Sequence, residues 1–398
     1  MKEIYVDNAA TTRTSRTAVE AMLPYFATIY GNPSSLHSVG QRAAEALQEA
    51  RKSAAECLGA AEPREIIFTS GGSEADNQAL RTIAKLGKKK GKMHIVSTAF
   101  EHHAVLHTLK ALEKEGFEIT LLDVHKNGIV TADEVAEAIR PDTCGVSVMY
   151  ANNEIGTVQP IREIGAVCRE KKVLFHTDAV QAVGHLPVNV QDDNIDLLSL
   201  SAHKFGGPKG VGILYAKKGI LLETLIHGGA QERGKRAGTE NIASIMGMIA
   251  ALKESLARLD ETSEKLIRMR DRLIEGIEAT IPHSELNGDR EHRLPGNVSF
   301  CFEGIEGEAL LLLLDMYGIC ASSGSACTSG SLDPSHVLLA IGRPHEIAHG
   351  SLRISLSHEN TDEEVDAILK ALPEVVSTLR NMSPVWRDLQ NGKRQYII

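Results

Sequence analysis

The chain has 398 residues, 42% of them hydrophobic and 24% charged, with a formal net charge of -9. That length exceeds what one hydrophobic core usually serves and predicts two domains, while the acidic balance argues against a nucleic-acid-binding surface, which is normally basic. No apolar run approaches a membrane span (309–314 is far too short), and six cysteines without a CxxC pair together with an opening Met1–Asp7 that has no apolar signal region make a reducing, cytoplasmic setting the expectation.

Residues 65–69, 94–97, 145–149 and 173–176 read as buried strands, with amphipathic helical stretches at 104–115 and 131–139 between them. The second helix opens on a Thr131–Glu134 capping box. Such alternation from about 64 to 215 predicts an α/β fold with a mostly parallel sheet covered by helices on both faces. Residues 240–280 are charged, amphipathic and without proline, and predict one long connecting helix. Strands at 297–302 and 350–356 and a helix capped by Thr361 and Glu364 predict a smaller α+β domain, onto which the N-terminal segment should pack. Cys320 closes the run 316–320 and is expected in the core.

The chemistry-bearing segments fall at strand ends, where open α/β sheets bind ligands. Thr69-Ser70-Gly71-Gly72-Ser73 follows a strand and opens a helix, which suits an anion site as well as a simple cap by Ser73. His102 and His103 follow the 94–97 strand. Either could lie against an aromatic cofactor or be a surface residue at a helix start; adjacent histidines point apart and no spacing completes a metal sphere. Asn152 and Asn153 sit in a polar loop that also reads as a turn. Asp178 ends the strand at 173–176, and Lys204 stands between the strand end at Ser201 and a glycine-rich turn. A lysine that forms an imine and an acid that keeps a pyridinium nitrogen protonated are the minimum a protein contributes to pyridoxal-phosphate chemistry. Residues 322–331 are small and polar around Cys327, the setting of an exposed, nucleophilic thiol. Arg353 in a strand suits a substrate carboxylate or a salt bridge.

With these motifs in place the chain resembles the NifS/IscS-like cysteine desulfurases, within the class V aminotransferase family of fold-type I pyridoxal-phosphate enzymes. The resemblance runs nearly end to end, through Val6-Asp7-Asn8-Ala9-Ala10-Thr11-Thr12, Tyr30-Gly31-Asn32-Pro33, Glu101-His102, Asn152-Asn153-Glu154, Asp178-Ala179-Val180-Gln181, Ser201-Ala202-His203-Lys204, Gly238-Thr239 and Gly324-Ser325-Ala326-Cys327-Thr328-Ser329. It implies a large cofactor domain over 16–262 with a seven-stranded sheet. A small domain would comprise 1–15 and 263–398 and carry the catalytic loop at about 321–332. Pyridoxal 5'-phosphate is the implied cofactor, joined to Lys204. Asp178 would meet its ring nitrogen, Gln181 its phenolic oxygen, and His102 its ring face, while Gly72, Ser73, Ser201 and His203 would cup the phosphate. Thr239 would reach the phosphate of a neighbouring subunit, which implies a homodimer. Asn153, beside the cofactor, and Arg353 would hold the carboxylate of L-cysteine, and Cys327 would receive its sulfur as a persulfide, leaving L-alanine. No resident metal is implied; Cys327 is the one residue offered as a transient iron–sulfur ligand. Ser383-Pro384-Val385-Trp386 resembles the segment that family members use with an iron–sulfur scaffold protein, one of the sulfur acceptors implied. Ser73 stands where the family often has Thr, which keeps the hydroxyl. Other readings on this architecture are a selenocysteine lyase, a class V aminotransferase or a non-catalytic scaffold.

Overall fold

The computed structural model describes residues 3–323 and 334–398. Seven strands form the central sheet in the order Ile66–Thr69, Gly212–Ala216, Leu197–Ser201, Leu174–Asp178, Thr143–Ser147, His94–Thr98 and Glu118–Leu122. Only Gly212–Ala216 runs antiparallel to its neighbours; the other pairs are parallel. Side chains alternate between two apolar layers, as period-two geometry requires. Ile67, Ile95, Leu197 and Leu214 face a layer with helices Gly72–Lys88 and His103–Lys114. Ile66, Phe68, Val96, Leu198 and Ile213 face the other, with helices Ser38–Leu58, Ile161–Lys171 and Ile242–Ala257. Two covered faces explain why the inner strands read as continuous apolar or small runs.

A second apolar core lies beneath the antiparallel sheet Ser351–Ser355, Asn297–Phe302 and Ser284–Leu286. Helices Leu259–Thr280, Gly307–Met316 and Asp362–Met382 cover it. The N-terminal segment joins this core as expected: Ile4–Tyr5 pairs in parallel with Ile319–Cys320, and Val6 is fully buried.

Three expectations need correction. The strand placed at 145–149 begins at Thr143, which pairs with His94. The single helix expected over 240–280 is two, Ile242–Ala257 and Leu259–Thr280, broken at Arg258 (φ -112°, ψ 11°). Ile245, Met248 and Leu252 bury into the first core, whereas Leu266, Met269 and Leu273 bury into the second. One straight helix could not aim its stripe at both. Cys320 is half-buried rather than core, because strand alternation gives the inward position to Ile319, 2% exposed, and turns its neighbour outward.

Candidate functional site

Strand Leu197–Ser201 ends in a short 3-10 turn, Ala202–Lys204, and returns as Gly212–Ala216. Gly206 and Gly210, at φ 83° and 79°, allow that reversal. The turn projects Lys204 into a cavity of about 360 Å³ at the carboxyl ends of the parallel strands. Gly72, Ser73, His102, Asn153, Asp178, Gln181, Ser201, His203 and Arg353 share this cavity with Lys204. Thr239 is exposed and outside its lining. Cys327 lies outside the described residues.

The floor at one end is the start of helix Gly72–Lys88, whose first amides have no intrahelical partner. Its N-cap is Gly71, at φ 151°, and no side chain caps it. The simple-cap reading of Ser73 therefore gives way: Ser73 is inside the helix and faces the cavity. A Cβ on Gly72 would lie 2.6 Å from Val180 Cγ2, so any larger residue there requires Val180 to move. Amides at a helix start, two serine hydroxyls and an imidazole form a donor set for a phosphate. Burial, with Lys204 and Lys209 nearby, lowers His203 to about 4, so its ring is neutral; its Nδ1 lies 3.1 Å from Thr11 Oγ1.

Lys204 Nζ donates to the carbonyl oxygens of Ala9 and Ala10 at 2.6 and 2.8 Å. Gln181 Nε2 donates to the same Ala9 oxygen at 3.0 Å. His102 caps helix His103–Lys114, its Nδ1 accepting from the Ala104 amide at 3.1 Å, and also borders the cavity. Its place at the helix start is therefore shown, and the same position turns the ring towards the cavity.

Beside Asp178 lies a second acid, Asp76, that no motif announced. Asp178 accepts from the Val180 amide at 2.9 Å. Burial raises its pKa, opposed by His102, that amide and Lys204. Asp76 lines the cavity, is 1% exposed and is raised well above the usual carboxylate range by burial and by Asp178. Its Oδ1 has no hydrogen-bond partner. Burial drives His176, 3.6 Å from Asp76, down to about 3, so this contact is not an ion pair. His176 instead bridges Ser147 Oγ and Ser199 Oγ at 2.9 and 3.0 Å. Each carboxyl group disfavours ionisation of the other, so both are held above the usual carboxylate range, and Lys204 opposes this at Asp178.

At the opposite wall Arg353, 2% exposed, donates to Asp7 Oδ1 at 2.9 Å and to Asn153 O at 3.2 Å. Its Nε has no partner. Asp7 was not foreseen as a site residue, although the motif 6–12 contains it. The Asn152 side chain accepts from the amides of Glu154 and Ile155, as a turn requires, and so aims Asn153 inward. Glu154, bonded by the Ser335 hydroxyl, is raised to about 7 by burial.

Pyridoxal phosphate fits this cavity. The unpartnered amides at the start of helix Gly72–Lys88 suit its phosphate, and the buried acid Asp178, with Asp76 behind it, suits a protonated ring nitrogen. Asp76, His102 and Asp178 also bring ligand atoms within 4.8 Å of one another.

The class-V aminotransferase model matches residues 4–368. Over 396 residues the chain is 55% identical to "Cysteine desulfurase IscS" of Clostridium botulinum (strain Hall), covering 99% of both. It is 55% identical over 384 residues to the IscS of Methanosarcina thermophila, covering 96% of this chain and 94% of that one. A solved "NIFS-like protein" superposes with a TM-score of 0.89 at 39% identity, covering 95% of this chain and all of that one. Fold, cavity and sequence agree, and the chain belongs to the class-V aminotransferase family.

Proposed function

We propose that the chain is a pyridoxal-phosphate-dependent cysteine desulfurase that converts L-cysteine to L-alanine and takes the sulfur on Cys327. The observation that carries this reading is the convergence of Lys204, Asp178, the 72–73 helix start and Arg353 on one cavity. When bound, pyridoxal phosphate supplies an electron-poor ring that withdraws charge from the amino acid joined to it. Gly72, Ser73, Ser201 and His203 hold its phosphate, Asp178 keeps its ring nitrogen protonated, and Gln181 faces its phenolic oxygen. Arg353, steered by Asp7 and the Asn153 carbonyl, takes the substrate carboxylate. Lys204 Nζ, gripped by the Ala9 and Ala10 carbonyls, is placed to remove the Cα proton, to deliver one to Cβ and finally to return one to Cα. His102 covers the ring face. The Cys327 thiolate attacks the substrate sulfur: an S–S bond forms, the C–S bond breaks, and its electron pair remains on Cβ, which is protonated to give alanine.

A large domain over 16–262 and a small one of 1–15 with 263–398 are part of this proposal, and the separate core beneath the antiparallel sheet supports it. A cytoplasmic homodimer in which Thr239 of one subunit reaches the other's phosphate is part of this proposal. Exposed Leu23, Phe26, Tyr30 and Leu36 support an apolar subunit face. No helix among the described residues is long and apolar enough to cross a membrane. An iron–sulfur scaffold or another sulfur-acceptor protein would receive the persulfide. Incubation with L-cysteine should yield alanine together with a mass gain of one sulfur on Cys327. Cys327→Ala should keep the cofactor's colour yet form no persulfide; full sulfide release by that variant would overturn the assignment.

A further inference from the structure

Outside the cavity, His103 and His107 stand one turn apart on helix His103–Lys114, with ring centroids 5.0 Å apart. His336, at the start of helix His336–Ala340, brings its ring to 4.5 Å from His103. Two imidazoles on one tetrahedral ion, with metal–nitrogen bonds of about 2.0–2.1 Å, have centroids about 5 Å apart. His103 therefore stands at the spacing of shared ligation with each of the other two rings.

A second observation concerns the tautomer. His336 Nε2 lies 2.9 Å from the Glu101 carbonyl oxygen. A carbonyl can only accept, so Nε2 carries the hydrogen and Nδ1 keeps its lone pair. A ring nitrogen hydrogen-bonded to a backbone carbonyl is the usual support of a metal-bound histidine. Burial, and then the neighbouring imidazoles, lower His103; burial lowers His336 as well, so both rings are neutral at physiological pH. His107 is exposed, which gives an ion its entry. In the rotamers shown the three nitrogens do not yet meet at a point; side-chain rotation at the exposed His107 is fast and inexpensive.

We infer that His103, His107 and His336 bind one transition-metal ion of the class that favours imidazole, such as Zn²⁺, Co²⁺ or Ni²⁺, with water completing the sphere. The ion would brace helix His336–Ala340 against helix His103–Lys114, beside the cavity but without its residues.

The test titrates Co²⁺ into the holoenzyme and reads the cobalt d–d spectrum and stoichiometry. One Co²⁺ per chain with nitrogen and oxygen ligation is expected. His107→Ala and His336→Ala should each weaken binding at least about tenfold, with cofactor absorbance unchanged. Zn²⁺ should displace the cobalt signal. Undiminished binding in both variants, thiolate-type cobalt bands, or no binding to the wild type would each overturn the site.

Discussion

Lys204 Nζ is held between the carbonyl oxygens of Ala9 and Ala10, at 2.6 and 2.8 Å, so the N-terminal segment positions the reactive amine of a hairpin far along the chain. Lys204→Ala should fold, as judged by far-ultraviolet circular dichroism, but lose the visible absorbance of the cofactor imine. Its desulfurase activity should drop by about 10²–10⁴ or more. An unchanged spectrum would remove Lys204 from its role.

Gly72 and Val180 form a steric pair at the phosphate cup. Gly72→Ala places a methyl 2.6 Å from Val180 Cγ2 and should reduce cofactor retention on dialysis. Val180→Ala in the same chain should restore much of it, since the obstructing atom is gone. If the double variant retains cofactor no better than Gly72→Ala, steric crowding is not the cause.

Arg353 is nearly buried and its charge is met by Asp7 at 2.9 Å. Asp7→Ala strands that guanidinium and should cost about 1–3 kcal/mol, discounted from a fully buried pair because Asp7 is partly exposed. Urea unfolding measures it. Arg353→Lys loses the planar fork and should raise KM for L-cysteine about tenfold or more, with a smaller change in kcat. A change confined to kcat would contradict carboxylate binding.

Glu101 is raised to about 8 by burial, although Thr98 and the Met149 amide both donate to its Oε1. Its folded pKa lies above its unfolded one, so folding takes up a proton between about pH 4.3 and that value. Its contribution to stability is therefore present at low pH and declines as pH rises through this window. Glu101→Gln removes the decline, and should be more stable relative to the wild type at pH 8 than at pH 5. Parallel stability profiles for the two proteins across that range would refute the assignment.

The pairing of Asp178 with Asp76 marks where sequence reading stopped. Asp178, Lys204, Gly72 and His102 were legible because each ends a strand or opens a helix beside a glycine or a hydroxyl, and those positions face ligands in a parallel sheet. Asp76 was not: it sits one helical turn inside Gly72–Lys88, where an acid reads as a solvated residue of the first turns. Its position beneath Asp178 depends on how that helix lies across the sheet. Asp7 and the Ala9 and Ala10 carbonyls were visible only as parts of a motif, without any sign of what they grip.

Period-two alternation, capping residues and strand-end motifs are local properties, so the α/β class, the covered sheet and most of the cavity's residues were written in the sequence itself. Local pattern says nothing about which distant surfaces meet. Only the folded chain decided that the helical stretch 240–280 breaks at Arg258 to serve two cores, that Cys320 turns outward, and that residues 7–10 close the cavity against Lys204 and Arg353. Each of these depends on packing between segments far apart in the chain, where burial and pairing free energies override local preference.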